Sequence, residues 1–162
     1  MKAEGLNKYI TLGNNRDVVK YVVECYKKWR EQPVNILGDL YGIPEDEQCY
    51  AIFEYVLENV AYKEDMPGYQ FIKSPARLLT DKVGDCKSMT LFICSCLHCL
   101  GIPHTIRFVN FDGGSQYTHV YPIAHTQEGM IILDAVERDA QGKPIYNYAR
   151  PFIKNKDIYF NE

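Results

Sequence analysis

Apolar residues return every three or four positions along the first part of the chain. Val18, Val22, Cys25, Tyr26 and Trp29 fall on one face of a helix that runs to about Gln32, with Asp17 suited to cap it. The stretch before it ends in Gly13-Asn14-Asn15, a loop signal. Pro33, Gly38, Gly42 and Pro44 break the connector that follows. A second helix then places Cys49, Ile52, Phe53, Val56, Leu57 and Val60 on one stripe, and Glu45, Asp46 and Glu47 fill its first turn, where acids complement the helix dipole. Residues 61–74 read as an extended or looping link. Ser74-Pro75 opens a short helix, serine capping and proline tolerated at the first helical position, and that helix ends before Gly84. A third long helix runs from Cys86 to Leu100, with Met89, Ile93, Cys96, Leu97 and Leu100 along one face and Gly101 and Pro103 as its stop.

The period then changes. HTIRFVNF from His104, YTHVYPIA from Tyr117 and MIILDAV from Met130 read as strands. DGGSQ makes a turn between the first two, and Pro122 interrupts the second. Short runs bounded by turns suggest an antiparallel meander. The aromatic tail from Ile145 to Phe160 is expected to pack on the body. Helices first and sheet second, with no internal repeat, give an α+β fold in one domain spanning residues 1–162.

Charge removes two function classes. Eighteen Lys and Arg against 21 Asp and Glu leave a net charge of −3, and no basic stripe overrides it, so a nucleic-acid surface is not expected. Lys27, Lys28 and Arg30 fit a solvated helix face. The longest apolar run, MTLFICSCLHCLGI, is too short and too polar to span a bilayer. The N-terminus lacks the apolar segment of a secretory signal, which leads us to expect a cytoplasmic, reducing setting and free thiols. No cofactor is implied.

Of the six cysteines, Cys86 stands apart. Gly84 permits close approach to the helix, Asp85 is a good cap, and Cys86 becomes the first helical residue. Unsatisfied N–H groups at a helix start favour a thiolate. Asp85 opposes that, and Lys87 offsets Asp85 if it folds back. Strong activation needs an imidazole. Among the four histidines, His98 reads as surface, His104 as a turn residue and His125 as a loop residue. His119 is centred in YTHVY and shares a face with Tyr117 and Tyr121 by alternation. A half-buried strand histidine is the plain alternative. Asp134 drops a carboxylate into the apolar IILDAV, where burial demands a partner such as an imidazole N–H. Alternatively it marks the strand end.

GDCKSMTLFICSCLHCLGIPHTIRF, then THVYPI, then ILDAV, resembles the core of the transglutaminase-like superfamily, which belongs with the papain-like cysteine enzymes. The likeness covers about residues 60–136, with 1–59 as a helical prelude. It implies a papain-like, transglutaminase-core fold, with the cysteine at a helix N-terminus packed on an antiparallel sheet. It implies Cys86 as nucleophile, His119 as general base and acid, and Asp134 as its orienting partner. The Cys86 N–H would be one oxyanion donor. The family's second donor comes from upstream, where Gln70 and Tyr69 are nominated, while Tyr117 and Tyr121 are the substrate-side neighbours of His119. Where the family often has Trp two residues after the histidine, this chain has Tyr121, and Pro122 or Ile123 replaces a following acid. Calcium-binding acidic loops are not recognisable. The implied partner is a protein or peptide substrate, and the implied activity that of a thiol protease or amidase, with protein crosslinking as the alternative. The loop FDGGSQY is expected to border the substrate cleft.

Two readings from other classes compete. Cys96-x-x-Cys99, with Cys94 and His98 nearby, invites a metal, yet one such pair inside a helix lacks the second knuckle that zinc wants. A domain that kept the fold for binding alone is the other.

Overall fold

The computed structural model describes residues 8–12, 18–66 and 69–161. In chain order its elements are β1 (Lys8–Leu12), α1 (Val18–Trp29), α2 (Glu45–Asn59), β2 (Ala61–Tyr62), β3 (Tyr69–Lys73), α3 (Pro75–Asp81), β4 (Val83–Gly84), α4 (Cys86–Cys99), β5 (His104–Asn110), β6 (His119–Thr126), β7 (Gly129–Ile132) and β8 (Lys154–Phe160). All four helices lie close to their expected bounds. Asp17, the expected cap of α1, lies outside the described residues. That helix stops at Trp29, and Pro33 starts a 3-10 turn over Gln32–Ile36, followed by another at Gly38–Leu40.

Helix α4 is the axis of the molecule, and every residue from Lys87 to Leu97 is buried. Its expected face, Met89, Ile93, Cys96 and Leu97, packs on the stripe of α2. Its opposite side, Leu91 and Cys94, packs on Val22, Cys25 and Tyr26 of α1 and on Ile106, Phe108 and Val120 of the sheet. A helix that is apolar all round is buried all round.

The main sheet is antiparallel in the order β7-β6-β5-β8. The expected meander supplies three strands, and the tail supplies the fourth, pairing Ile158 with Ile106. Pro122 does not break β6. It sits opposite Ile106, and its carbonyl accepts the Leu133 N–H at 3.0 Å. The sheet's outer face buries Val109, Tyr121 and Ile123 under Phe111, Ala149 and Phe152.

Two smaller pairings frame the start of α4. Strand β1 runs antiparallel to β3, with Thr11 opposite Gln70, in a region the sequence left as leading loop and link. Strands β2 and β4 are parallel, and the Lys63 N–H donates to the Gly84 carbonyl at 2.9 Å. His104 and His125, read as turn and loop residues, both lie in strands. His104 opens β5 fully buried, its Nδ1 2.9 Å from the Ile102 carbonyl and its Nε2 2.7 Å from the Tyr26 hydroxyl. Burial pushes its pKa down to about 4. Among the described residues no helix is long and apolar enough to cross a membrane.

Candidate active site

The position of Cys86 follows from the residues on either side of it. Ser74 caps α3 by accepting the Arg77 N–H, and the helix ends on Lys82 in the left-handed conformation. The chain then passes so close to α3 that a Cβ on Gly84 would lie 2.5 Å from Leu78 Cδ1 and 3.3 Å from Ser88 Cβ. A side chain there would push the buried Leu78 aside. Asp85 caps α4: its Oδ1 accepts the N–H groups of Lys87 at 3.0 Å and Ser88 at 3.4 Å. That cap takes the second and third helical N–H groups and not that of Cys86, whose thiol is half-buried at the helix start.

His119 opens β6, and Asp134 lies just past β7, 2% exposed. Both readings of Asp134 thus hold in part: it stands beyond the strand end, and it is buried with a partner. His119 Nε2 and Asp134 Oδ2 are 2.6 Å apart, while Asp134 Oδ1 accepts the Val136 N–H at 3.1 Å. The imidazole stacks near Phe111, ring centroids 5.9 Å apart, and tilts over Tyr121 at 5.7 Å. On its open side it lines the same cleft as the Cys86 thiol, which favours the charged ring. With Nε2 held by Asp134, Nδ1 is the nitrogen left for the sulfur. Burial works against a charged ring here. The hydrogen bonds to Asp134 and Cys86, with their negative charges, more than reverse it and raise the pKa to about 10.

Lys87 does fold back. Its ammonium bridges Asp85 Oδ2, at very short range, and Asp65 Oδ2 at 3.1 Å, with only 9% of the lysine side chain exposed. Burial, joined by the neighbouring Asp65, lifts the Asp85 carboxyl to about 6 against the pull of Lys87. Burial would lower the Lys87 pKa, but Asp85, Cys86 and Asp65 together raise it. Asp65 also accepts the Phe71 N–H at 2.8 Å, so it ties the segment before β3 to β3 itself. Sequence reasoning missed Asp65, which lies in an irregular stretch with no periodic signal.

A cleft of about 220 Å³ opens over these groups. Cys86, Lys87 and His119 form its floor, with Tyr62, Tyr69, Gln70 and Tyr117 along its walls. Tyr69, Gln70 and Tyr117 therefore reach the cleft as expected. Tyr121 does not. It is 1% exposed and packs behind His119 in the outer core. Tyr121 does share the His119 face, but Tyr117 does not: β6 starts at His119, and Tyr117 turns to Phe108 on the helix side of the sheet. The loop FDGGSQY borders the cleft only through its last residue, Tyr117, and residues 111–116 supply no lining. Asn110 braces it, accepting the Gly113 N–H and donating to the Gln116 carbonyl, both at 2.5 Å.

The competing metal reading finds no convergent site. Cys94 and Cys96 are buried in separate cores, Cys99 Sγ donates to the Arg30 carbonyl at 3.3 Å, and His98 Nε2 lies 2.6 Å from Glu31. Among the described residues, the metal-type donors that come within 4.8 Å of one another are His119, Asp134 and Glu137. The first two already spend Nε2 and Oδ2 on each other.

The profile described as the transglutaminase-like superfamily matches residues 40–135, more than half of the chain. The chain belongs to this superfamily. The match begins at Leu40, so α2, expected as prelude, falls inside it. Among solved structures, the chain shares its fold with a candidate protease from Parabacteroides distasonis ATCC 8503. The TM-score is 0.60 at 15% identity, over 82% of this chain and 30% of that one. It is similar also to Legionella pneumophila LapG, with a TM-score of 0.58 at 21% identity over 88% of this chain and 82% of that one. Calcium-bound LapG gives 0.57 at the same identity. These identities speak for a shared fold. No curated protein matches the sequence significantly. In superfamily terms the α+β architecture is papain-like: a cysteine-led helix packed on an antiparallel sheet.

Proposed function

We propose that the protein is a thiol-dependent acyl-transfer enzyme acting on amide bonds, a peptidase or amidase. Cys86 is its nucleophile, His119 its acid and base, and Asp134 the group that orients the ring. The observation that carries this reading is the hydrogen bond between Asp134 and His119 in the cleft that also holds the thiol at the start of α4. A cysteine gains nucleophilicity as a thiolate, and a helix start facing an imidazolium is where a thiolate is stabilised.

In the proposed cycle the Cys86 thiolate adds to the substrate carbonyl carbon. The negative charge moves to the carbonyl oxygen, where the Cys86 N–H and a donor from the Tyr69–Gln70 wall receive it. The C–N bond breaks, and the amine leaves with the proton held by His119. Forming the C–S bond removes the thiolate charge that had helped hold this proton. The ring therefore becomes a stronger acid just as the leaving amine needs one. Water then gives a proton to His119 as its oxygen adds to the thioester, and the thiolate departs. Asp134 keeps the ring in one orientation throughout, which matters because a misdirected imidazole loses its catalytic contribution.

The test needs no known substrate. Iodoacetamide labelling against pH, mapped to each cysteine, is expected to find Cys86 modified well below the pH at which ordinary thiols react. His119→Ala should abolish that low-pH reactivity. A Cys86 that titrates as an ordinary thiol in both proteins would sink the reading.

A further inference from the structure

The cleft floor holds a charged group that the proposed cycle does not use. Lys87 follows the nucleophile directly, is nearly buried, and reaches two carboxylates from two parts of the chain. One, Asp85, caps the helix that carries Cys86. The other, Asp65, holds the Phe71 N–H and so the start of β3, where Tyr69 and Gln70 form the facing wall. We propose that Lys87 is a positioning residue: its ammonium fixes the Tyr69–Gln70 wall to the start of α4 and offsets part of the negative charge of the two carboxylates beside the Cys86 thiol. This rests on the reading of Cys86 as nucleophile.

Titratable groups surround the sulfur on several sides. His119 faces it from β6 and Tyr62 from β2. Asp85 and Lys87 flank it on its own segment, and Glu64 and Asp65 line the same cleft. Without Lys87, a thiolate would form beside one buried carboxylate, Asp85, and one half-buried one, Asp65, and no lysine. Like charges at short range in a poorly solvated site disfavour one another. The sequence therefore places an acid before the nucleophile for the sake of the cap, and the lysine after it offsets part of the electrostatic penalty. The tie to Asp65 adds a geometric role. A donor on the Tyr69–Gln70 wall serves the oxyanion only if it stays in register with the Cys86 N–H, and small displacements there are costly to catalysis.

The test is the pH at which Cys86 alkylation reaches half its maximal rate, in the wild type, Lys87→Met, Lys87→Arg and Asp65→Asn. Lys87→Met is expected to move that midpoint up by about one pH unit. Lys87→Arg, which keeps the charge, should stay near wild type. Asp65→Asn removes one carboxylate and should move the midpoint slightly down. A purely structural lysine would change unfolding midpoints without ordering the alkylation midpoints by charge. A folded Lys87→Met with an unchanged midpoint overturns the proposal. If Lys87→Met does not fold, an Asp65→Asn midpoint that is unchanged or higher overturns it instead. A wild type with no low-pH reactivity at Cys86 would strike the reading of the site, whereas these variants bear on Lys87 alone.

Discussion

Helix α4 holds cysteines near both of its ends, and the two ends differ in chemistry. At the start, Cys86 is half-buried beside an imidazole and a lysine, and the cap leaves its own N–H free of Asp85. Two to three turns on, Cys94 and Cys96 are sealed in apolar cores, and burial pushes both thiols well above their ordinary pKa. Burial likewise raises Cys99 to about 11, and in the neighbouring helices it raises Cys25 to about 11 and Cys49 to about 12. One residue type thus serves as a core filler and, in the proposed reading, as the nucleophile on one helix. Exposure, helix position and a partner ring separate the two, which is why counting cysteines says nothing of reactivity.

The sharpest way to break this contrast is to remove the thiol at the start. Cys86→Ala is expected to abolish turnover of any amide substrate and all labelling at pH 6. Cys96→Ala should leave both intact, as measured by progress curves and peptide mapping. Next in size are the partners. His119→Ala should lower kcat/KM by about 10²–10⁴-fold, and Asp134→Asn by a smaller factor, in steady-state assays.

The same pair predicts a pH dependence of stability. The folded pKa of His119 is raised to about 10 from an ordinary 6.5. The folded state therefore holds a proton that the unfolded chain releases between those values. Its stabilisation is complete below about pH 6.5 and is lost as pH rises toward 10. Urea unfolding should show that decline in the wild type and a much weaker one in Asp134→Asn.

Gly84→Ala should cost about 1–3 kcal/mol, because its Cβ meets Leu78 and drives α3 from α4. Slower Cys86 alkylation is expected with it. The smallest effect belongs to the other end of the helix. Cys96→Ala should cost only about 1 kcal/mol in urea unfolding, the ordinary penalty for a small vacancy in a core.

Much of this was legible because it is written locally. Ser74-Pro75, Asp85, Gly101 and the apolar stripes mark helices through capping and periodicity, and α1 to α4 follow them. Cys86 at a helix start and Asp134 as a carboxylate needing a partner are also local inferences. What escaped depends on chain segments far apart. The pairing of β1 with β3 and of β8 with β5 joins regions with no strong alternation. His104 looked like a turn residue beside Pro103, yet Tyr26 and Phe160 enclose it. Tyr117 was placed by alternation, which applies only within a strand, and β6 starts at His119. Asp65 matters only because Lys87 reaches back to it across the fold.

Helix α4 is enclosed on all sides by α1, α2, α3 and β6. Its central amides, Thr90 to Leu97, should therefore exchange with solvent deuterium only when the whole molecule opens, whereas those of residues 61–66, at the cleft rim, can exchange through local opening. The half of the cleft that carries the sulfur is thereby tied to the most enclosed helix of the protein, and adjustment of the cleft falls to the opposite wall.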